Sequence, residues 1–236
     1  MKDNRTYYDD FAGWYERERH SGYHAMIDDL QTDLVKSQSV GRDILELGCG
    51  TGMILKEVHP IAKSAKGIDI SPGMLEQAKA RGLDVVEGSA TDLPFEDSSF
   101  DLVYSFKVLA HIEQITGAMN EVARVLRPGG VAFLEFYNPR SIRGLIKKLK
   151  APTAVSEQTN DEEVFTRYDT LDQVISYLPD TLTVSSVHGV RVFTPAAFFH
   201  KVPIIKNALN KMEWWARDHT LFSKLGGFMV VKVERS

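Results

Sequence analysis

The sequence predicts an α/β fold in which short buried strands alternate with helices around a twisted, mostly parallel sheet. Two observations carry that prediction. The stretch Asp43 to Gly52, DILELGCGTG, runs through β-branched residues and leucine to Glu46 and then places three glycines in quick succession, the signature of a buried strand turning sharply into a helix. After it, the apolar runs Ala65 to Ile70, Leu83 to Glu87, Phe100 to Ser105 and Val131 to Phe136 are separated by segments of helical character, as expected of parallel strands joined by crossovers. Leu182 to Val187 and Phe228 to Val233 supply a closing hairpin, giving seven strands with one antiparallel strand expected at the sheet edge.

The chain has 236 residues, enough for one large core with insertions. Its 43% hydrophobic and 25% charged content suits a globule with a sizeable core and excludes disorder or a collagen-like fibre. A net charge of −4 argues against a general nucleic-acid binder, which needs a broad basic face. The single cysteine, Cys49, leaves no internal disulfide, and the polar start MKDNRTYYDD lacks the apolar core of a signal peptide. With no apolar run of membrane-spanning length, a cytoplasmic protein is expected.

The glycine spacing defines the ligand expected at the turn. In the dinucleotide fingerprint the third glycine follows three residues after the second; here it follows two after. Gly48, Gly50 and Gly52 remove side chains where backbone must approach a ligand, and permit dihedrals that other residues avoid. Glu46 would repel a phosphate but suits a ligand carrying positive charge. S-adenosylmethionine, with its sulfonium and α-ammonium, meets that requirement.

At these residues the sequence resembles the class I S-adenosylmethionine-dependent methyltransferases, whose first motif is an acidic residue, any residue, then Gly-x-Gly-x-Gly. Glu46, Gly48, Gly50 and Gly52 match it, and GIDIS (Gly67 to Ser71), GSATDLPFEDSSFDLVYS (Gly88 to Ser105) and LRPGG (Leu126 to Gly130) follow in the family's order. The branch most resembled is the small-molecule one that includes the quinone-biosynthesis methyltransferases. The resemblance implies a Rossmann-like class I fold over a single domain, 1–236. Residues 1–40 would form a helical lid and 41–139 the cofactor core; 140–180 and 195–218 would be cap insertions, with 181–194 and 226–235 as closing strands. It implies S-adenosylmethionine as cofactor and S-adenosylhomocysteine as product. The implied cofactor-binding positions are Tyr8, Glu46, Gly48, Cys49, Gly50, Thr51, Gly52, Asp69, Ile70, Met74, Ser89, Ala90, Thr91, Ser105 and Phe106.

Taken in order, Thr6 to Arg19 places Tyr7, Tyr8, Phe11, Trp14 and Tyr15 on a helical stripe. Aromatic docking on the core explains this, and so does the family's N-terminal Tyr-x-x-x-Ala-x-x-Tyr helix, matched by Tyr8, Ala12 and Tyr15, in which a tyrosine closes over the cofactor. A second helix, from about Tyr23 to Lys36, turns Met26, Ile27, Leu30 and Leu34 inward. Met53 to Val58 continues the glycine turn as a helix. Asp69 ends the second strand 21 residues after Gly48, the separation at which a carboxylate accepts both ribose hydroxyls; a helix N-cap is the structural alternative, a role better suited to Ser71 before Pro72. The resemblance places Ile70 and Met74 against the adenine. It also expects an Asp-Ala pair where this chain has Ser89-Ala90, so either the Ser89 hydroxyl or neighbouring backbone meets the adenine, with Asp92 as a compensating or merely solvated group.

The fourth strand leads into Phe106, Lys107 and His111 and a long helix to about Leu126. This junction lies beyond the strand carboxyl ends, where ligands of open α/β sheets bind. His111 is a candidate base, although a histidine in this place of the family is often structural. Arg127 to Gly130 is a turn feeding the fifth strand, which ends in Glu135 and Tyr137 on the ligand side. Arg140 to Lys150 is a short basic amphipathic helix, suited to a solvated surface or to anionic lipid. Ala151 to Asp161 reads as a loop over the pocket. Arg167-Tyr168 resembles a pair bordering the substrate, and a helix follows from Thr170 to Tyr177. Ala197 to Arg217 is a helical insertion with Ile205, Leu209, Met212 and Trp215 at helical spacing, interrupted early by Pro203. Packing explains that stripe, and so does a cap over an apolar channel.

Methyl transfer starts from an activated donor and needs alignment and exclusion of water, and a base only where the acceptor is protonated. The candidate bases are His111, Tyr8, Tyr15 and Glu135. Cys49 is expected to pack rather than react. No metal is expected, because the stretch after the fourth strand lacks a carboxylate cluster. The acceptor is expected to be small and apolar or aromatic, with the atom methylated (O, N or C) left open; peripheral membrane contact is compatible with the basic helix, and oligomeric state is not legible in this sequence. Two other classes share these motifs: a non-catalytic cofactor-binding module, and an NAD-dependent oxidoreductase, which the glycine spacing and Glu46 oppose.

Overall fold

The computed structural model describes residues 22–141, 165–194, 199–200 and 202–236. The lid tyrosines Tyr8 and Tyr15, most of the basic helix Arg140 to Lys150 and the loop Ala151 to Asp161 lie outside these residues.

Helix α1 (Gly22–Ser39) leads into strand β1 (Asp43–Leu47), the short helix α2 (Leu55–Val58), β2 (Ser64–Asp69), α3 (Pro72–Ala80), β3 (Asp84–Glu87) and β4 (Phe100–Ser105). Then come α4 (Ile115–Val125), β5 (Leu126–Tyr137), α5 (Leu171–Tyr177), β6 (Leu182–Val190), α6 (Pro203–Arg217) and β7 (Phe228–Arg235). The seven strands form one sheet in the order β3-β2-β1-β4-β5-β7-β6. Strands β1 to β5 pair in parallel, while β7 runs antiparallel to both β5 and β6. The antiparallel strand is therefore internal, not at the edge as expected: β7 inserts between β5 and β6, so the edge belongs to β6.

The central strand explains its position. All five residues of β1 are buried, as required of a strand with a helical layer on each face. One face packs on α1, whose Met26, Ile27, Leu30 and Leu34 are all buried with the α2 and α3 residues Leu55 and Leu75. The other packs on α4 through Ala118, Met119 and Val122. Each of the large apolar side chains stabilises the fold by about 1.5–3 kcal/mol relative to leaving it in water.

Three elements differ from expectation. The helix after β4 is broken into a 3-10 turn, Leu109–His111, and α4, which starts at Ile115. Strand β5 already begins at Leu126, because Arg127-Pro-Gly-Gly bulges within the strand instead of ending it, with a register shift against β4. Pro203 opens α6 rather than interrupting it, occupying the first turn where a missing N–H costs nothing. Of the stripe read on α6, Ile205, Met212 and Trp215 are exposed and Leu209 is partly buried, so it does not pack inward as a core face.

Candidate cofactor and acceptor site

The glycine turn sits at the carboxyl end of β1 and is closed almost entirely by its own neighbours. The amides of Gly48 and Cys49 both donate to the Ile68 carbonyl, at 2.7 and 3.0 Å, and the Gly52 amide donates to the Cys49 carbonyl at 2.8 Å. The Gly50 amide donates to Asp69 Oδ2 at 2.8 Å. With these four N–H groups engaged inside the protein, the turn offers no cradle for a pyrophosphate, and the helix that follows it has only four residues. This geometry opposes the nicotinamide-dinucleotide reading.

Two glycines are required sterically. Gly48 has φ +67° and a Cβ there would lie 2.2 Å from Val108; Gly52 has φ +78° and a Cβ would lie 2.3 Å from Leu83. Gly50, by contrast, has open space, its nearest neighbour being Met74 Sδ at 4.0 Å, so this point of the loop is where another molecule can approach the backbone. The hydroxyl of Thr51 is buried there without a hydrogen-bond partner in the protein.

Two carboxylates flank the turn. Glu46 is buried, 4% exposed, and accepts the Tyr104 hydroxyl at 3.2 Å. Burial and the neighbouring Glu46 charge push the Tyr104 phenol well above its usual range, which keeps it a donor and Glu46 an acceptor. Asp69 is half-buried at the end of β2; besides Gly50 it receives the Ser71 amide on Oδ1 at 2.9 Å. Ser71 caps α3 by accepting from the Met74 amide at 3.2 Å, so the capping role falls to Ser71 and leaves Asp69 facing the turn.

Cys49 packs, as expected. Its Sγ lies against Gly67, where a Cβ would come within 2.7 Å, and burial together with Glu46 and Asp69 drives the thiol far above its ordinary range. Ile70 is half-buried and Met74 buried beside the turn. Ser89 bonds Thr91 through its hydroxyl at 2.7 Å and accepts the Thr91 amide at 3.2 Å, so Ser89-Ala90-Thr91 is a compact turn after β3, with Asp92 exposed. Ser105 is buried and donates to the Leu47 carbonyl at 3.1 Å, tying β4 to β1 below Phe106.

The second half of the site lies beyond β4 and β5. His111 Nδ1 is 2.8 Å from the Phe165 carbonyl, which fixes that nitrogen as the proton-bearing one, and Nε2 is 3.5 Å from the Tyr137 hydroxyl. The Tyr137 ring meets those of Tyr168 and Phe228 at 5.8 and 5.3 Å. Arg167 does not border this space with its charge: it makes a bidentate pair with Asp169 at 2.8 and 3.0 Å and lies over the Tyr177 ring. Glu135 is likewise withdrawn from the candidate bases. It is 1% exposed, accepts the Lys107 amide at 3.0 Å and is bonded by Gln31 of α1. Lys107, held at φ +64°, then reaches back to Asp28 of α1 at 2.7 Å. Together these contacts clamp the loop after β4 to α1.

Tyr23 and His200 were not singled out from the sequence. The His200 ring lies 5.8 Å from that of Tyr23, at the ligand edge of the sheet, and is 6% exposed with neither ring nitrogen bonded inside the protein. Burial holds its pKa below the ordinary histidine value. A lone histidine beyond the last parallel strands carries no spacing signal that would have marked it. Among the described residues, no group of three His, Cys, Asp or Glu side chains could hold a metal ion, and no helix is long and apolar enough to cross a membrane.

Residues 45–134 match the family model described as a methyltransferase domain. A probable S-adenosylmethionine-dependent methyltransferase of Mycolicibacterium smegmatis is 37% identical over 93 residues, covering 39% of this chain and 36% of the relative. A demethylmenaquinone methyltransferase of Clavibacter sepedonicus is 32% identical over 157 residues, covering 62% of this chain and 63% of the relative. The chain thus spans less than two thirds of the length of these curated relatives. Among solved structures, a Thermotoga maritima protein described as a SAM-dependent methyltransferase, possible histamine N-methyltransferase, superposes with a TM-score of 0.72 at 20% identity. That match covers 98% of this chain and 99% of the other, and it bears on the fold alone.

Proposed function

We propose that the protein is a cytoplasmic enzyme that transfers a methyl group from S-adenosylmethionine to an O, N or C atom of a small apolar or aromatic acceptor. The observation that carries this reading is the pair of carboxylates, Glu46 and Asp69, on either side of a glycine turn in which the amides of Gly48, Cys49, Gly50 and Gly52 are already bonded within the protein. Such a turn rejects anionic phosphate and accepts a cationic nucleoside.

The residues present fit that cofactor. Glu46 would face its positive end, Gly50 and the buried Thr51 hydroxyl would meet it along the turn, and Asp69 would take the ribose hydroxyls. Ile70, Met74 and the Ser89-Ala90-Thr91 turn would enclose the base, with Ser105 and Phe106 below the reacting end. When bound, S-adenosylmethionine supplies a methyl group on a sulfonium, activated for in-line displacement by a nucleophile.

The chain's own contribution is alignment and dryness. Holding two reactants in line contributes up to about 7–11 kcal/mol in favourable cases. The rings of Phe106, Tyr137, Tyr168 and Phe228 supply an apolar wall on the acceptor side, and His111, with its proton fixed on Nδ1, leaves Nε2 to receive a proton from a hydroxyl acceptor, directly or through Tyr137. An aromatic acceptor also agrees with the name of the Clavibacter relative. Tyr8 and Tyr15 complete the proposal as lid residues over the cofactor.

The test is transfer of isotopically labelled methyl from S-adenosylmethionine into a cell extract, followed by mass spectrometry of the product. A labelled small molecule of low polarity is expected. Retention of the label on the donor, with the protein folded and cofactor-bound, would contradict a catalytic role and leave a cofactor-binding module.

A further inference from the structure

Helix α6 is turned inside out. Lys206, Asn210, Glu213 and Arg217, spaced to share one helical face, point towards the protein, and Glu213 and Arg217 are buried. The opposite face carries Ile204, Ala208, Met212 and Trp215, all exposed, with Ile204 83% and Trp215 56% accessible. An ordinary surface helix does the reverse.

The orientation is locked. Glu213 accepts from the amides of Val192, Phe193 and Thr194 and from the Thr194 hydroxyl, all within 2.9 Å. Arg217 pairs with Asp33 of α1 at 2.7 Å and with Asp218 at 2.8 Å, and lies over the Trp214 ring. Breaking buried charges out of such networks costs about 3–5 kcal/mol, so the helix cannot rotate to hide its apolar side.

Exposure of apolar bulk is concentrated here. Among the described residues, eight of the ten exposed large hydrophobic side chains lie between Val202 and Leu225, so the patch is a local feature of α6 and the turn after it. That turn adds the exposed Leu221, and its His219 and Phe222 rings meet each other and Trp215 at tilted angles. Among the described residues of this stretch, the unpaired exposed charge beside the patch is basic. Lys211 and Lys224 are exposed beside it, whereas the acidic groups of the same stretch are committed elsewhere, Glu213 inward and Asp218 to Arg217 and His188. This local basic fringe stands on a chain whose net charge is −4.

We propose that this face of α6 docks the protein on an anionic lipid surface. Tryptophan and aliphatic side chains flanked by lysines are the composition that seats a helix in the boundary between headgroups and acyl chains. The start of α6 also adjoins His200, which meets Tyr23 at the ligand edge of the sheet. On the methyltransferase function proposed above, such docking would let an apolar acceptor pass from the bilayer to the site.

Co-sedimentation of the full chain, without cofactor, on phosphatidylcholine vesicles containing about one third phosphatidylglycerol tests the docking independently of the chemistry. Binding is expected on these vesicles and much less on phosphatidylcholine alone. Ile204→Ser and Trp215→Ser, at exposed positions, should each weaken partition by about tenfold. Lys211→Glu with Lys224→Glu, or added salt, should abolish the preference for anionic vesicles. Absence of partition, or partition unaltered by these substitutions with the fold retained by circular dichroism, would overturn the proposal. So would a light-scattering mass of two chains that falls to one in Ile204→Ser, which would make the face a contact between copies.

Discussion

Asp69 Oδ2 receives the amide of Gly50 at 2.8 Å, so the carboxylate that ends β2 braces the turn that ends β1. One side chain thereby couples the two strand ends between which the cofactor is proposed to lie. Its second oxygen, taking the Ser71 amide, extends the brace to the start of α3.

Asp69→Ala should therefore weaken S-adenosylmethionine binding by at least about a hundredfold, since hydrogen bonds to charged groups contribute about 1.5–3 kcal/mol each. His111→Ala, further along the ligand edge, should change affinity only a few-fold while lowering turnover on a hydroxyl acceptor. Calorimetry and initial rates on the two variants separate these effects; comparable losses of affinity would contradict the division of roles.

Gly52→Ala places a methyl group 2.3 Å from Leu83 on a backbone at φ +78°. Strain of about 1–2 kcal/mol from the left-handed conformation adds to overpacking of about 1–3 kcal/mol. Denaturant unfolding should show a loss within the sum of those ranges. Gly41→Ala, which also has positive φ but nothing within 4 Å, should lose only the strain component.

Glu135→Gln keeps the shape of the clamp but removes its charge, and Glu135→Ala leaves the Lys107 amide and Gln31 without their shared acceptor. The alanine variant should be destabilised by about 1–3 kcal/mol and should raise the acceptor KM, because the loop bearing Phe106 and His111 loses one of its ties to α1 and keeps only the Lys107–Asp28 pair. The pH profile of turnover should stay unchanged in Glu135→Gln; a shifted profile would make Glu135 a proton carrier.

Acid stability should depend on Asp43. Hydrogen bonds from Lys63 and Ser64, with Arg127 alongside, hold its carboxyl down to about 2. Because the folded value lies below the unfolded one, Asp43 stabilises the fold above about pH 4, and that contribution is lost as pH falls towards 2. In Asp43→Asn the part of the stability decline falling between those pH values should shrink by about 1–2 kcal/mol, measured by urea unfolding across the range.

The sequence made the cofactor half legible because its demands are local. Glu46, the three glycines, Asp69 and the Ser71 cap are written within single loops, and residue type alone states what the backbone requires. The acceptor half depends on partners far apart in the chain. Nothing in the spacing links Glu135 to Gln31, Arg167 to an inward role through Asp169, or His200 to Tyr23. Helix α6 shows a related limit: periodicity reveals that Ile205, Met212 and Trp215 share a face, but which face turns inward is decided by Glu213 meeting the amides of 192–194. The position of β7 inside the sheet is equally a matter of pairing, invisible in two apolar runs.

The central claim is that this glycine turn selects a cationic nucleoside over a pyrophosphate. Titration calorimetry of the full chain with S-adenosylmethionine, S-adenosylhomocysteine and NAD tests it most directly. The account predicts saturable binding of the first two, lost in Asp69→Ala, and no binding of NAD. Binding of NAD with indifference to S-adenosylmethionine, by correctly folded protein, would contradict it.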